Sequence, residues 1–254
     1  MAGGAENKTA GGQGVSHDLI IRRAGPLTEL TLARPAKANA LSAELVEALL
    51  DAVAAAGSDG TRLLVLRGEG KNFCAGFDFS DLETSTDGDV LRRVVRVEIL
   101  LQAIYHAPMA TLALCQGGTY GAGADLVACC DRRVAAPGTV FRMPGLRFGV
   151  VLGTRRLAAR IGADRALEIQ GSARGFDAAE AEKIGFINTM AAAEGWEPIA
   201  GDMLAGQKLD ARAHAALKAR VQVDSRDADL AALVNVASAP GLKDRIKAFR
   251  AARD

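Results

Sequence analysis

Aromatic residues are scarce in this chain. They make up 4% of it, with one tryptophan and two tyrosines, which leaves few rings for stacking nucleic-acid bases. Charge of one sign is also lacking: 31 Lys and Arg stand against 30 Asp and Glu, a formal net charge of +1. Nothing in that balance draws the chain to a polyanion or an anionic membrane. No apolar run is long enough to span a bilayer. The histidines are few and isolated, at His17, His106 and His214. The four cysteines, Cys74, Cys115, Cys129 and Cys130, lack metal-ligand spacing and read as buried reduced thiols. No His/Asp/Glu cluster has ligand spacing, so no metal is expected. Residues 1–16 are rich in Gly and Ala and lack the apolar stretch of a secretory signal; they are expected to form a disordered tail. These absences describe a soluble, cytoplasmic protein. With 49% hydrophobic residues, there is ample core for one large domain, alone or with a small appendage.

What is present alternates between two periods. Leu19–Ile21 and Leu27–Leu32 read as strands around a turn at Gly25-Pro26. Ser42 reads as an N-cap with Glu44 in the first turn. Leu45, Val46, Leu49, Leu50 and Val53 form a helical stripe closed near Gly57. A strand at 63–67 follows, then a helical pattern from Asp89 to Tyr105 ended by Pro108. A further strand, a helix near 121–130 and a strand at Arg133–Ala135 come next. Alanine-rich helices are expected at 197–223, 227–237 and 240–252. Alternating strands and helices predict an α/β fold.

Two glycine-bearing segments stand out, Gly70–Phe79 and Gln116–Leu126. Each follows a short apolar run that reads as a buried strand. Small residues at such turns admit close approach to the backbone. The second segment opens the helical stretch Leu126–Cys130, and free N–H groups at a helix start favour negative charge. Two such turns facing each other would form an oxyanion hole for a thioester oxygen. The spacing Gly118-x-x-Gly121-x-Gly123 is not the G-x-G-x-x-G order of a dinucleotide-binding fold.

Four segments, in order over about residues 18–190, together resemble the crotonase (enoyl-CoA hydratase/isomerase) superfamily. Gly68–Phe79 matches the first family signature and Gln116–Asp131 the second. Ala33–Leu41 resembles the N-terminal R-P-x-x-x-N-A-L motif, and Phe176–Asn188 the A-x-E-A-x-x-x-G-L-V-N motif. The resemblance implies a spiral of ββα units. A core at 17–193 would be followed by a helical C-terminal region at 194–254, through which family members pack as trimers and dimers of trimers.

It also implies the chemistry: an enolate formed from an acyl-CoA thioester, with no separate cofactor because coenzyme A is part of the substrate. By position, the oxyanion donors are the amides of Phe77 and Ala122. Phe77 is bulky and would narrow or reshape the pocket. The loop Cys74, Ala75, Gly76, Phe77, Asp78 and Phe79 resembles the one that cradles the adenine, with Asp78 ordering its own turn. Lys37 and Ala38 match a region approaching the pantetheine and phosphates. Gly121 and Gly145 complete the expected substrate-binding set.

The acids depart from the family pattern. Where hydratases carry the first catalytic Glu, this chain has Asp125, either a general base or a charge favouring its helix N-terminus. Where they carry the second, in a Phe-x-x-Pro-Glu segment, Phe141-Arg142-Met143-Pro144-Gly145 offers Gly145. The following loop, Gly149–Thr154, is about three residues shorter than the family's. Hydration with two carboxylates on one water is therefore not expected; single-base isomerisation, decarboxylation and thioester hydrolysis stay open. Arg142 and Arg147, flanking the missing acid, are either solvated charges or a clamp for a carboxylated acyl group. Arg92, Arg93 and Arg96 read as an exposed helix face. An enzyme on carboxylated or β-keto acyl-CoA and a catalytically silent acyl-CoA-binding homologue are the alternatives.

Overall fold

The computed structural model describes residues 17–252; the expected tail at 1–16 lies outside them. The chain starts with a hairpin of β1 (Leu19–Ala24) and β2 (Leu27–Leu32), turning at Gly25 with φ 58°. In β2, Thr28, Leu30 and Leu32 are buried and alternate with half-buried residues, the period-2 pattern of a strand covered on one face. Helix α1 (Ala43–Ala56) starts where the Ser42 hydroxyl accepts from the Leu45 amide at 3.2 Å. It buries the expected stripe of Leu45, Val46, Leu49 and Val53; Leu50 is only half-buried. Strand β3 (Leu63–Gly68) runs parallel to β2. Helix α2 (Asp87–Tyr105) opens with a reciprocal capping box between Thr86 and Asp89, and so begins two residues before its apolar period shows.

Then follow β4 (Ala110–Cys115), β5 (Gly118–Tyr120), α3 (Ala122–Cys129), β6 (Arg132–Ala135) and β7 (Val140–Arg142). After these come α4 (Thr154–Ile161), α5 (Ala163–Ser172), β8 (Gly175–Asp177), α6 (Ala178–Lys183) and β9 (Thr189–Met190). A six-stranded sheet has the order β1-β2-β3-β4-β6-β9, parallel except at β1. Every residue of β4 is buried, as expected of a central parallel strand covered on both faces. A smaller sheet, β5-β7-β8, leads the chain past the ends of β3 and β4, where the two glycine segments leave the large sheet.

The C-terminal region differs from the sequence expectation. The stretch 197–223 is not one helix but two, α7 (Trp196–Ala205) and α8 (Ala211–Val221). Asp210 caps the second by accepting from the Ala213 amide at 2.7 Å; alanine richness on both sides hides this new start. Helices α9 (Arg226–Ala237) and α10 (Leu242–Ala251) fold back on α2. Leu233, Ala237, Leu242 and Ile246 join Val90, Val94, Phe148 and Val150 in one apolar cluster. The last helix thus forms one wall of a cavity that also reaches both glycine segments.

Candidate active site

The two glycine segments meet. Gly76, at φ 88°, lies so close to the second turn that a Cβ there would stand 2.5 Å from Tyr120 O and 3.2 Å from Ala122 N. Gly123 allows the complementary approach, since a Cβ on it would lie 2.4 Å from Cys74 O. Only residues without a side chain fit at such contacts. Tyr120 N donates to Cys74 O at 2.9 Å and joins the pair, while Gly121 N donates to Arg142 O at 2.7 Å and ties the second turn to β7. Leu41 N donates to Gly76 O at 2.8 Å from the other side. Among the described residues, the amides of Phe77 and Ala122 donate to no protein acceptor. Both residues line a cavity of about 290 Å³. Ala122 is also the first residue of α3, so the positive end of that helix faces the same space.

Asp125 lies one turn into α3 and lines the cavity at 3% exposure. Its Oδ1 is buried without a hydrogen-bond partner. Burial drives its carboxyl well above the ordinary range, opposed by the positive charge of Arg156 and reinforced by the negative charge of Glu98. Burial therefore favours the protonated form of Asp125 in the free protein. The nearby charges form a buried chain that sequence reasoning did not find. Glu98 on α2 pairs with Arg156 on α4, and Arg156 Nη1 lies 3.8 Å from Asp229 Oδ2 on α9. The three residues are far apart in sequence, on α2, α4 and α9, so no local pattern points to them.

Gly145 also lines the cavity. It begins a 3-10 turn, Gly145–Phe148, that returns so tightly that Val150 N donates to Gly145 O at 2.9 Å. A Cβ on residue 145 would meet Val150 O at 2.8 Å. The following 149–154 segment places Val150 and Leu152 on the cavity wall, beside Phe148 at the end of the turn. Gly153, φ 65°, packs against the acid, and a Cβ on it would stand 1.8 Å from Asp125 Oδ1. Gly145 and Gly153 thus both sit where a side chain would collide with the surrounding wall. We predict that Gly145→Glu does not create hydratase activity and lowers stability by about 1–3 kcal/mol through overpacking. Thermal melts and a crotonyl-CoA hydration assay check this; a folded variant that hydrates faster than wild type refutes it.

Other expected residues sort by place. Ala75, Phe79 and Gly121 line the cavity. Cys74 is buried behind it, with burial pushing its thiol up to about 12. Lys37 and Ala38 do not border the cavity; Lys37 is exposed at the end of a short 3-10 turn. Ala38 contributes its carbonyl, which accepts from Ala75 N at 2.9 Å. Its left-handed neighbour Asn39, φ 55°, ties the segment down by donating to Glu69 O and Asn72 O at 2.9 and 2.8 Å. Asp78 turns away from the cavity and accepts from Ser80 N and from Arg34 Nη1, each at 2.9 Å. Burial would raise its carboxyl, but Ser80 and Arg34 outweigh burial and hold it low.

Arg93 is not on an exposed face: at 8% exposure it donates to Asp78 O at 2.8 Å, pairs with Asp81 and lies 4.4 Å from the Phe77 ring centre. The loop after Phe77 curls over α2 and supplies the acceptors that bury it. Arg142 and Arg147 do not form a clamp. Arg142 Nε donates to Ala173 O at 2.8 Å, Arg147 is exposed, and neither borders the cavity. Residues that the sequence did not flag do border it: Gln170 from α5, and Ile246, Phe249 and Arg250 from α10. Among the described residues, no group of three or more His, Cys, Asp or Glu side chains is arranged to hold a metal, and no helix is long and apolar enough to cross a membrane.

Comparison with known proteins gives a consistent set of matches. The profile of the family described as Enoyl-CoA hydratase/isomerase matches residues 22–238. The chain is 34% identical over 182 residues to the probable enoyl-CoA hydratase echA6 of Mycobacterium bovis, covering 69% of this chain and 73% of that protein. It is similar to a crystal structure from Bordetella parapertussis of a candidate enoyl-CoA hydratase/isomerase, with TM-score 0.89 and 50% identity, over 92% of this chain and 98% of that one. An enoyl-CoA hydratase structure from Bacillus halodurans shares the fold, with TM-score 0.80 at 22% identity, over 91% of this chain and 99% of that one.

Proposed function

The chain belongs to the enoyl-CoA hydratase/isomerase (crotonase) family, and from that premise we propose that it isomerises the double bond of an enoyl-CoA thioester with a single carboxyl group. One observation carries this reading. Two unbonded amides, Phe77 and Ala122, face a cavity whose described lining contains one acidic side chain, Asp125. The amides bind the thioester oxygen and strengthen their hold as charge builds on it. Ionised Asp125 removes a proton from the carbon next to the thioester of a 3-enoyl chain, giving a dienolate. The same carboxyl returns the proton to the far end of the dienolate, leaving the conjugated 2-enoyl thioester. One group serves both steps, so no second acid is required. Syn-hydration needs a second group to orient and activate water, and Gly145 offers none.

The raised Asp125 carboxyl sets the pH dependence. Burial disfavours its basic form in the free enzyme, so kcat/KM is expected to rise with pH, by up to about tenfold per pH unit, until the raised pKa is passed. The test follows conversion of 3-hexenoyl-CoA to the conjugated thioester, beside hydration of crotonyl-CoA. Isomerisation at least ~100-fold faster than hydration and increasing with pH is the expected result. Fast hydration, or binding of both thioesters with turnover of neither, overturns the reading; the second outcome identifies a silent binder. Decarboxylation loses its proposed clamp with Arg142 and Arg147 outside the cavity.

The four cysteines are free and buried, which suits a reducing, cytoplasmic setting. Leu217, Val221 and Val223 are 51%, 70% and 75% exposed along and beyond α8, and such apolar exposure supports a homotrimer or dimer of trimers. Light scattering of the purified protein reads this directly, and a monomer mass rejects it.

A further inference from the structure

We propose that Gln170 selects an acyl chain that carries an uncharged hydrogen-bonding group, a hydroxyl or a carbonyl, beyond the reacting carbons; the inference rests on the acyl-CoA reading above. Gln170 lies in the last turns of α5, on the face that buries Ala166 and Ile169. An aliphatic residue would continue that stripe, yet here a primary amide is 5% exposed. Among the described residues it makes no hydrogen bond to another protein group, and neither amide atom is sealed from the cavity it lines. Buried amides are normally partnered, and one left without a partner destabilises the fold. An unpartnered amide facing a ligand cavity is the arrangement of a recognition group.

The surroundings define the partner. Arg142 Nε donates to Ala173 O at 2.8 Å, which ties the end of α5 to β7. The strand continues into Met143 and Pro144, also on the cavity wall. Phe77, Phe79, Phe148 and Phe249 complete a mostly apolar lining suited to the carbons of a chain. The amide offers two N–H donors and one carbonyl acceptor, which match a hydroxyl or carbonyl. A carboxylate is disfavoured because, among the described residues, the one cation bordering the cavity, Arg250, is exposed and 5.8 Å from the Phe79 ring centre. Asp125 adds an acid rather than a cation. A site built to hydrogen-bond an oxygen rejects the analogue that lacks it, because its own polar group is then left unpaired.

Calorimetry tests this with saturated thioesters, which have no double bond to isomerise: hexanoyl-CoA, its 4-, 5- and 6-hydroxy analogues and 5-oxohexanoyl-CoA. At least one oxygenated thioester is expected to bind wild type about tenfold or more tightly than hexanoyl-CoA. In Gln170→Leu that preference disappears, while hexanoyl-CoA binds as well as before or better. Gln170→Met provides the same readout should the leucine variant not fold, and the wild-type comparison decides alone should neither fold. Equal binding of all five by wild type overturns the inference and leaves the enolate chemistry standing, as does a preference that survives in a folded variant. If wild type binds none of the thioesters, the acyl-CoA reading of the cavity falls and takes this inference with it.

Discussion

Gly76→Ala is expected to lower kcat by about 10²–10³-fold, with a much smaller change in KM. The added methyl would stand 2.5 Å from Tyr120 O and 3.2 Å from Ala122 N. The two turns must separate to admit it, and the Phe77 and Ala122 amides then no longer converge on one oxygen. Loss of a donor aimed at a developing negative charge is felt in the transition state more than in the bound thioester. Strain alone is controlled by Gly60→Ala. Gly60 has the same φ of 88° as Gly76, but nothing lies within 4 Å of its Cβ position. Both variants give up about 1 kcal/mol or more of stability through the positive φ, but Gly60→Ala keeps wild-type turnover. Equal turnover by Gly76→Ala and wild type would remove these amides from the mechanism.

Asp125→Asn is expected to reduce isomerisation by about 10²–10⁴-fold with thioester binding retained. It also changes how stability depends on pH, in a direction fixed by linkage. The folded-state pKa of Asp125 is raised above its reference value of 3.8 by burial. Below 3.8 both folded and unfolded chains carry the proton, and the favourable contribution is fully present. Between that value and the raised one the unfolded chain releases the proton and the folded chain keeps it. Wild type therefore loses up to about 1.4 kcal/mol of stability per pH unit across this window, and the loss is complete once pH passes the raised pKa. Asparagine does not titrate, so the variant lacks that slope. Urea melts at several pH values compare the two directly. Parallel stability profiles would mean that Asp125 ionises normally. The opposed effects, lower activity and a flatter profile, fit an acid whose strained environment serves the reaction.

Much of the frame was legible because it depends on local patterns. Ser42 announced the start of α1, the unbroken apolar run of 111–115 its central strand, and the glycines at 76, 121 and 123 the two turns. Their meeting required more than spacing; the contact between Gly76 and Ala122 depends on β3 and β4 lying side by side in one sheet. What stayed hidden depends on distant segments. In sequence Arg93 resembles its neighbours Arg92, which is exposed, and Arg96, which is half-buried and pairs with Glu47, until the loop from Phe77 to Asp81 covers it. Gln170 is one polar residue in an ordinary amphipathic helix, and nothing nearby shows that its face meets a cavity. The charges of Glu98, Arg156 and Asp229 come from α2, α4 and α9, so no local window contains the network. The break between α7 and α8 was local but masked, because the alanine-rich flanks favour helix on both sides of Asp210.

In the proposed mechanism two amides and one carboxyl form and quench a thioester enolate. Exchange of the α-protons of butyryl-CoA in D₂O tests it most directly, since it isolates enolate formation from any later step. With butyryl-CoA saturating, wild type is expected to exchange these protons well above the uncatalysed rate, and Asp125→Asn about 10²-fold more slowly or worse at equal occupancy. No exchange by wild type with the thioester demonstrably bound, or equal exchange by the two proteins, would contradict the account.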